Sequence, residues 1–324
     1  MSETTYLEAI RQALAEEMAA DPTVFLLGED IGRFGGAFKV TEGLLDRFGP
    51  ERVIDTPISE SGFVGAAIGA SMMGMKPVVE FQFIDFMANA FDMIVNAAGT
   101  SRYRWGQKVP LVLRGPSGGG VHGSAFHSGN PEGYYCHAPG LKVVAPSTPS
   151  DARGLLKAAI RDPNPVIFLE HKFLYRRIKE ELVEGDGIVP LGRARIARAG
   201  RHLTVVTWAA MVHVALDAAA ALAGEGIELE IVDLRTLKPM DDEAVLASVR
   251  RTNRALVLSE EPQTGSFAAE VAARIAELAF GFLDAPVARL CCPDTPVPYS
   301  PPLEAAYLPD VPKLIAKARQ LLAY

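Results

Sequence analysis

Cysteine is scarce in this chain, with three in 324 residues: Cys136 and the adjacent Cys291-Cys292. Three thiols without a CxxC spacing cannot build a disulfide framework or a metal clamp, so they read as buried side chains. Also missing is any block of Lys or Arg. The net charge of −7 is spread along the chain, which argues against nucleic acid and anionic membrane as partners. No apolar run is long enough to cross a bilayer; the longest, such as residues 109–113, have strand length. The first five residues carry neither a basic region nor a signal-type apolar core, and a cytoplasmic location is expected. The six histidines and three cysteines show no metal-ligand spacing.

Apolar residues, by contrast, are plentiful, 49% of the chain, enough to bury two cores and to make two domains the expectation. Strand-like and helix-like segments alternate, as a parallel sheet covered on both faces requires. Thr5 and Glu8 form a capping box that opens a helix to about Ala20. Strands are predicted at 24–27, 53–55, 77–81, 110–113, 141–145 and 165–170. The alternation lapses after Lys172, where charge gathers in Arg176-Arg177-Ile178-Lys179-Glu180-Glu181. This gives a first domain over 1–180, a linker over 181–192 and a second domain over 193–324. In the second domain, strands are predicted at 203–207, 229–234, 255–258 and 287–291, with helices over 212–223, 242–249 and 267–278. The expected fold class is α/β, two doubly wound domains.

Glu60 is the leading site candidate. It stands where Val53-Ile54-Asp55 turns through Thr56-Pro57-Ile58-Ser59 into a helix made largely of Gly and Ala. A carboxylate at the end of a buried strand, backed by Phe63, Val64 and Ile68, is poorly solvated and suited to holding and sharing a proton. Its plain alternative is a helix N-terminal acid favoured by the dipole. The spacing Gly65-Ala66 and Gly69-Ala70 puts small residues on one helical face, where another backbone can come close.

His127 lies in the glycine-rich run Gly120-Val121-His122-Gly123-Ser124-Ala125-Phe126-His127-Ser128-Gly129 after a strand. Open α/β sheets bind ligands at that end, and histidine exchanges protons near neutral pH. The alternative is a loop histidine bonded to a backbone carbonyl. Phe86 comes after the strand at 77–81 and could stack on a flat heteroaromatic ring or simply fill the core.

Three motif matches point elsewhere. Gly115-Pro116-Ser117-Gly118-Gly119 matches the elbow of serine hydrolases, with Ser117 as nucleophile, but the residues after it are too rich in glycine to start the helix an elbow needs. Residues 118–123 match GxGxxG without the helix or the acidic residue of a dinucleotide site. Gly185-Asp186-Gly187 matches the start of the diphosphate-and-magnesium motif of thiamin enzymes, yet no Asn occurs between Asn164 and Asn253, so it reads as linker.

The stretch from Glu60, with its two glycine-plus-apolar pairs, resembles the pyrimidine-binding half of thiamin diphosphate enzymes. Taken with Leu27-Gly28-Glu29-Asp30, Gly35-Gly36-Ala37-Phe38, Asp55-Thr56-Pro57, Asp233-Leu234-Arg235-Thr236 and Asp294-Thr295-Pro296, the whole chain resembles the β subunit of the two-subunit 2-oxo acid dehydrogenases acting on pyruvate or branched-chain 2-oxo acids. The resemblance implies a pyrimidine-binding domain ahead of a transketolase C-terminal-like domain, thiamin diphosphate shared with an α subunit that supplies Mg2+, an α2β2 assembly, and transfer of an acyl group to a lipoyl-bearing acyltransferase. It gives Glu60 the aminopyrimidine N1′, Ile58 a backbone contact beside it, Phe86 a place against the ring, and His127 the protons of acyl transfer. It further implies a potassium site, mostly of backbone oxygens, at Leu111, Ala159, Ile160, Asp162 and Asn164. An acetoin dehydrogenase β subunit fits the same resemblance; a hydrolase using Ser117 and a noncatalytic assembly subunit are the alternatives from other classes.

Overall fold

The computed structural model describes residues 3–183 and 185–324. Two compact units are present: one holds the described chain up to Ser117 together with Tyr134–Leu191, the other Gly118–Gly133 together with Gly192–Tyr324. The chain therefore lends the glycine-rich loop to the second unit. Glu184, inside the expected linker, lies outside the described residues.

The first unit is built on six parallel strands in the spatial order Lys142–Val144, Val166–His171, Val112–Ser117, Lys76–Glu80, Val24–Gly28 and Val53–Asp55. Val24–Gly28, Val112–Ser117 and Val166–His171 are buried along their full length. A strand covered on both faces has no polar side to alternate with, which is why residues 24–27, 112–113 and 166–169 read as unbroken apolar runs. The helix Tyr6–Ala20 begins at the expected capping box, with Thr5 accepting from the Glu8 backbone and Glu8 from Thr5, and it packs against Pro149–Arg161. Glu60–Met72 covers Lys76–Glu80 and the 3-10 segment Ile84–Ala90.

The charged run after Lys172 belongs to this unit. Thr4–Thr5 pairs antiparallel with Lys179–Glu180, Arg177 stands 3.7 Å over the Phe173 ring, and Arg176 donates to the Phe38 carbonyl at 3.0 Å. Polar residues two at a time give no hydrophobic period, so this pairing leaves no trace in the pattern.

In the second unit four parallel strands lie in the order Ala288–Cys292, Ala255–Pro262, Leu203–Thr207 and Leu229–Asp233, and Arg195–Arg198 closes the edge antiparallel to the last. That edge strand, Arg-Ile-Ala-Arg, carries the charges that deter further pairing. The helix Met211–Ala223 buries Ala215, Ala218, Ala219 and Leu222 and packs on Val311–Leu322. Asp242–Thr252 runs one turn beyond the expected end, to Asn253 in the left-handed cap conformation.

Candidate active site

Glu60 is the first residue of its helix. The edge strand Val53–Asp55 ends, the Thr56 backbone extends the ladder by donating to the Gly28 carbonyl at 2.9 Å, and the turn after it delivers the carboxylate at 8% exposure above Phe63 and Val64, both buried. Glu29, at the end of the neighbouring strand, is buried as well, and its Oε1 accepts no hydrogen bond among the described residues. Burial first, then the charges of Glu60 and Asp30, push the Glu29 carboxyl above the usual carboxylate range. The sequence reading passed over Glu29 because an acid after a strand is unremarkable until its solvation is known.

Ile58 is 82% exposed, on the outer side of the same turn. Phe86 is half-buried in the segment Ile84–Ala90 and meets Phe83 edge-on, ring centres 6.1 Å apart at 83°. The Ser61 hydroxyl donates to the Asn89 carbonyl and ties the start of the Glu60 helix to that segment. Glu60, Ile58 and Phe86 thus share one region of the first unit: a buried acid, an aromatic and a rim open to solvent. A buried carboxylate with an unsatisfied carboxylate oxygen beside it fits a flat heterocycle with a ring nitrogen to hydrogen-bond.

His127 belongs to the second unit with its loop. Its Nδ1 lies 3.2 Å from the Gly123 carbonyl, and since a carbonyl only accepts, Nδ1 is the donor. The carbonyl bond that serves as the plain alternative also sets the tautomer. Around the loop, buried carboxylates accept its backbone N–H groups: Glu260 from Gly119 at 3.3 Å, Glu304 from Gly120 at 2.8 Å and Glu261 from Gly133 at 2.9 Å. Glu132, within the loop, accepts from the Trp208 indole at 3.2 Å. Burial and the charge of Glu261 push Glu132 well above the carboxylate range, and burial raises Glu261 to about 7.

Leu111, Ala159, Ile160, Asp162 and Asn164 lie away from Glu60. Leu111 and Asn164 precede the amino ends of Val112–Ser117 and Val166–His171, whereas Glu60 comes after a carboxyl end. The Leu111 carbonyl accepts from Val166 at 2.8 Å and that of Ala159 from Asp162 at 3.2 Å. The Asp162 side chain is engaged by Lys142 and by Asn164. The Leu111 and Ala159 carbonyls each keep a second lone pair.

Two motif matches resolve physically. Ser117 is the last residue of a strand, 2% exposed, with its hydroxyl directed at the Glu170 carbonyl at 3.4 Å; a nucleophile elbow needs an exposed serine at a strand-to-helix turn, and the hydrolase reading is set aside. Asp186 is held by Arg161 and Lys157, which bind it to the first unit as an ion-pair partner. Missing from the sequence reading altogether is Arg114, fully buried between Glu80 and Glu170, with the Tyr175 hydroxyl donating to Glu170 at 2.7 Å.

Known proteins agree with this architecture. Residues 2–177 match the transketolase pyrimidine-binding domain and residues 192–314 the transketolase C-terminal domain. The chain is 46% identical to the 2-oxoisovalerate dehydrogenase subunit beta of Bacillus subtilis, covering all of both chains. It is 46% identical to the pyruvate dehydrogenase E1 component subunit beta-2 of Oryza sativa, over 98% of this chain and 86% of that one. With the acetoin:2,6-dichlorophenolindophenol oxidoreductase subunit beta of Cupriavidus necator it shares 47% identity, over 97% and 96%. A split-gene transketolase, described as an inactive β4 tetramer, superposes with a TM-score of 0.80 at 24% identity over 99% of each chain and shares the fold. The chain belongs to the transketolase-like family of 2-oxo acid dehydrogenase β subunits.

Proposed function

We propose that this chain works with an α subunit, as α2β2, to decarboxylate a branched-chain 2-oxo acid or pyruvate and pass the acyl group to a lipoyl group of an acyltransferase. The observation that carries the reading is the buried Glu60 beside the unsatisfied Glu29 oxygen, at the carboxyl end of a parallel sheet. Thiamin diphosphate, when bound, supplies the electron sink for loss of CO2. Glu60 would hold and move the proton at N1′ of the aminopyrimidine, Phe86 would lie against the ring and the Ile58 backbone would meet its edge. His127, its tautomer set by Gly123, would move protons at Nε2 during acyl transfer.

Mg2+ and the diphosphate contacts would belong to the α subunit. A potassium ion at Leu111, Ala159, Ile160, Asp162 and Asn164 would be a structural cation bound mainly by carbonyls. The open small-residue face of the Glu60 helix, with Gly62, Ala66 and Gly69 exposed, and the cleft beside it lined by Phe25, Leu27, Ile54 and Pro57 suit a second polypeptide. A cytoplasmic location belongs to the same reading; no helix among the described residues is long and apolar enough to cross a membrane.

A second reading, an acetoin-cleaving β subunit, draws on the Cupriavidus relative. One experiment addresses both: the chain is coexpressed with its α partner and supplied with pyruvate, 3-methyl-2-oxobutanoate and acetoin. Glu60→Gln should lower turnover of the preferred substrate by about 10²–10⁴-fold, the range of a lost proton-transfer group. Unchanged turnover would remove Glu60 from the chemistry and leave an assembly role for the chain.

A further inference from the structure

The loop that carries His127 is wound against local preference. Gly118 and Gly120 have φ of +82° and +80°, and the non-glycine residues His122 and Ser124 have +61° and +64°. The left-handed conformation is unfavourable for a residue with a Cβ, so His122 needs a contact from outside the loop to hold it there. The holder is Glu304, in the helix Pro301–Tyr307.

Its carboxylate is 1% exposed and is committed to the loop. Oε1 accepts from the Gly120 backbone at 2.8 Å, Oε2 from the His122 backbone at 3.1 Å, and the His122 Nδ1 lies 2.6 Å from Oε2. Three donors on one buried carboxylate replace the water it lost. Directly after His122 comes Gly123, whose carbonyl meets His127 Nδ1. Gly123 can fill that place only as glycine: a Cβ would stand 2.8 Å from the His127 carbonyl oxygen and 2.9 Å from Ser128 Oγ. One peptide unit thus connects the residue clamped by Glu304 to the acceptor that orients the His127 ring.

We infer that Glu304 is a positioning residue for acyl transfer: through His122 it fixes the Gly123 carbonyl, and through that carbonyl the tautomer and direction of His127. The inference rests on the role proposed for His127. Glutamine is the informative replacement, because its amide group would present hydrogens to backbone N–H groups that need an acceptor. A carboxylate accepts on both sides; an amide cannot.

The test uses the complex with the α subunit, in wild type, Glu304→Gln, His127→Ala and the double variant. Hydrogen exchange of the peptide spanning residues 118–131 and single-turnover acyl transfer to a lipoyl domain are measured. Glu304→Gln should speed exchange of that peptide about tenfold and slow acyl transfer about tenfold, and should slow it no further in the His127→Ala background. Unchanged exchange, or losses that multiply in the double variant, would overturn the inference. If His127→Ala transfers at the wild-type rate, the reading of His127 fails and with it the catalytic part of this inference, while loop exchange in Glu304→Gln still reports whether the clamp exists. Should Glu304→Gln not assemble, His122→Gly keeps the carboxylate, tolerates the positive φ and removes only the ring contact. The same changes in smaller measure would support the clamp, and none would overturn it.

Discussion

At the carboxyl edge of the first unit's sheet, Glu80 and Glu170 close on one guanidinium, that of Arg114, with Arg114 Nη2 2.7 Å from Glu170. At the corresponding edge of the second unit's sheet, Glu132, Glu261 and Glu304 are met by backbone N–H groups, an indole and an imidazole. The two solutions differ in charge. A guanidinium brings a whole positive charge into the interior; N–H dipoles bring fractions of one. Even so, a single cation does not fully answer two acids, and burial pushes Glu80 above its ordinary range. At the second edge burial, together with the charge of Glu261, pushes Glu132 well above the usual range, and burial raises Glu261 to about 7 against the lowering effect of its N–H donors. The second edge is therefore the one whose charge changes near neutral pH.

Removing the cation should have the largest effect. Arg114→Met strands two buried acids and should cost about 3–5 kcal/mol, the usual consequence of breaking a buried ion pair, read from the urea midpoint. A loss below about 1 kcal/mol would mean that water or rearrangement satisfies the acids, and the contrast between the edges would dissolve.

The second edge should show itself through pH. An acid whose folded affinity for protons is raised binds more protons folded than unfolded between its ordinary value, near 4.5, and its raised one, about 7 for Glu261. Stability therefore falls as pH rises through that window and levels off above it. From pH 5.5 to 8 the loss should be about 2 kcal/mol at 1.36 kcal/mol per unit, monitored through Trp208, which is buried and bonded to Glu132. Glu261→Gln removes the group that titrates in this window and should flatten the slope. An unaltered slope would place the titration elsewhere.

The smallest effect is expected where charges meet in solvent. Asp186 is drawn well below its usual range by its bonds to Arg161 and Lys157, yet exposed pairs are screened and add little. Asp186→Asn should leave the urea midpoint unmoved; a clear shift would show that this loop matters to the first unit more than its exposure suggests.

Much of this was legible beforehand. The strands at 53–55 and 203–207 and the helix Phe267–Leu278 stand where apolar period and caps place them, because both signals are local. Glu60 was legible through its position between a buried strand and a glycine-rich helix. Glu29, Arg114 and Glu304 were not. Glu29 owes its interest to lost solvation, and Arg114 and Glu304 to partners far along the chain, 184 positions for Glu304 and Gly120 and 56 for Arg114 and Glu170; no local pattern encodes either. The Arg195–Arg198 strand was hidden for a related reason, since an edge strand with charged ends has no apolar alternation to betray it.

The amino-acid sequence alone settled that the chain alternates strand and helix in two α/β domains, that it carries an acid at the turn into a close-packing helix, and that it resembles one family along its length. Those features come from hydrophobic period, capping and short spacings, which act over a few residues. Tertiary structure alone decided which acids are deprived of water, which are answered by a cation and which by N–H groups, and that the glycine-rich loop joins the second unit. Solvation and charge compensation depend on what folds over a residue, and that is set only when distant segments meet.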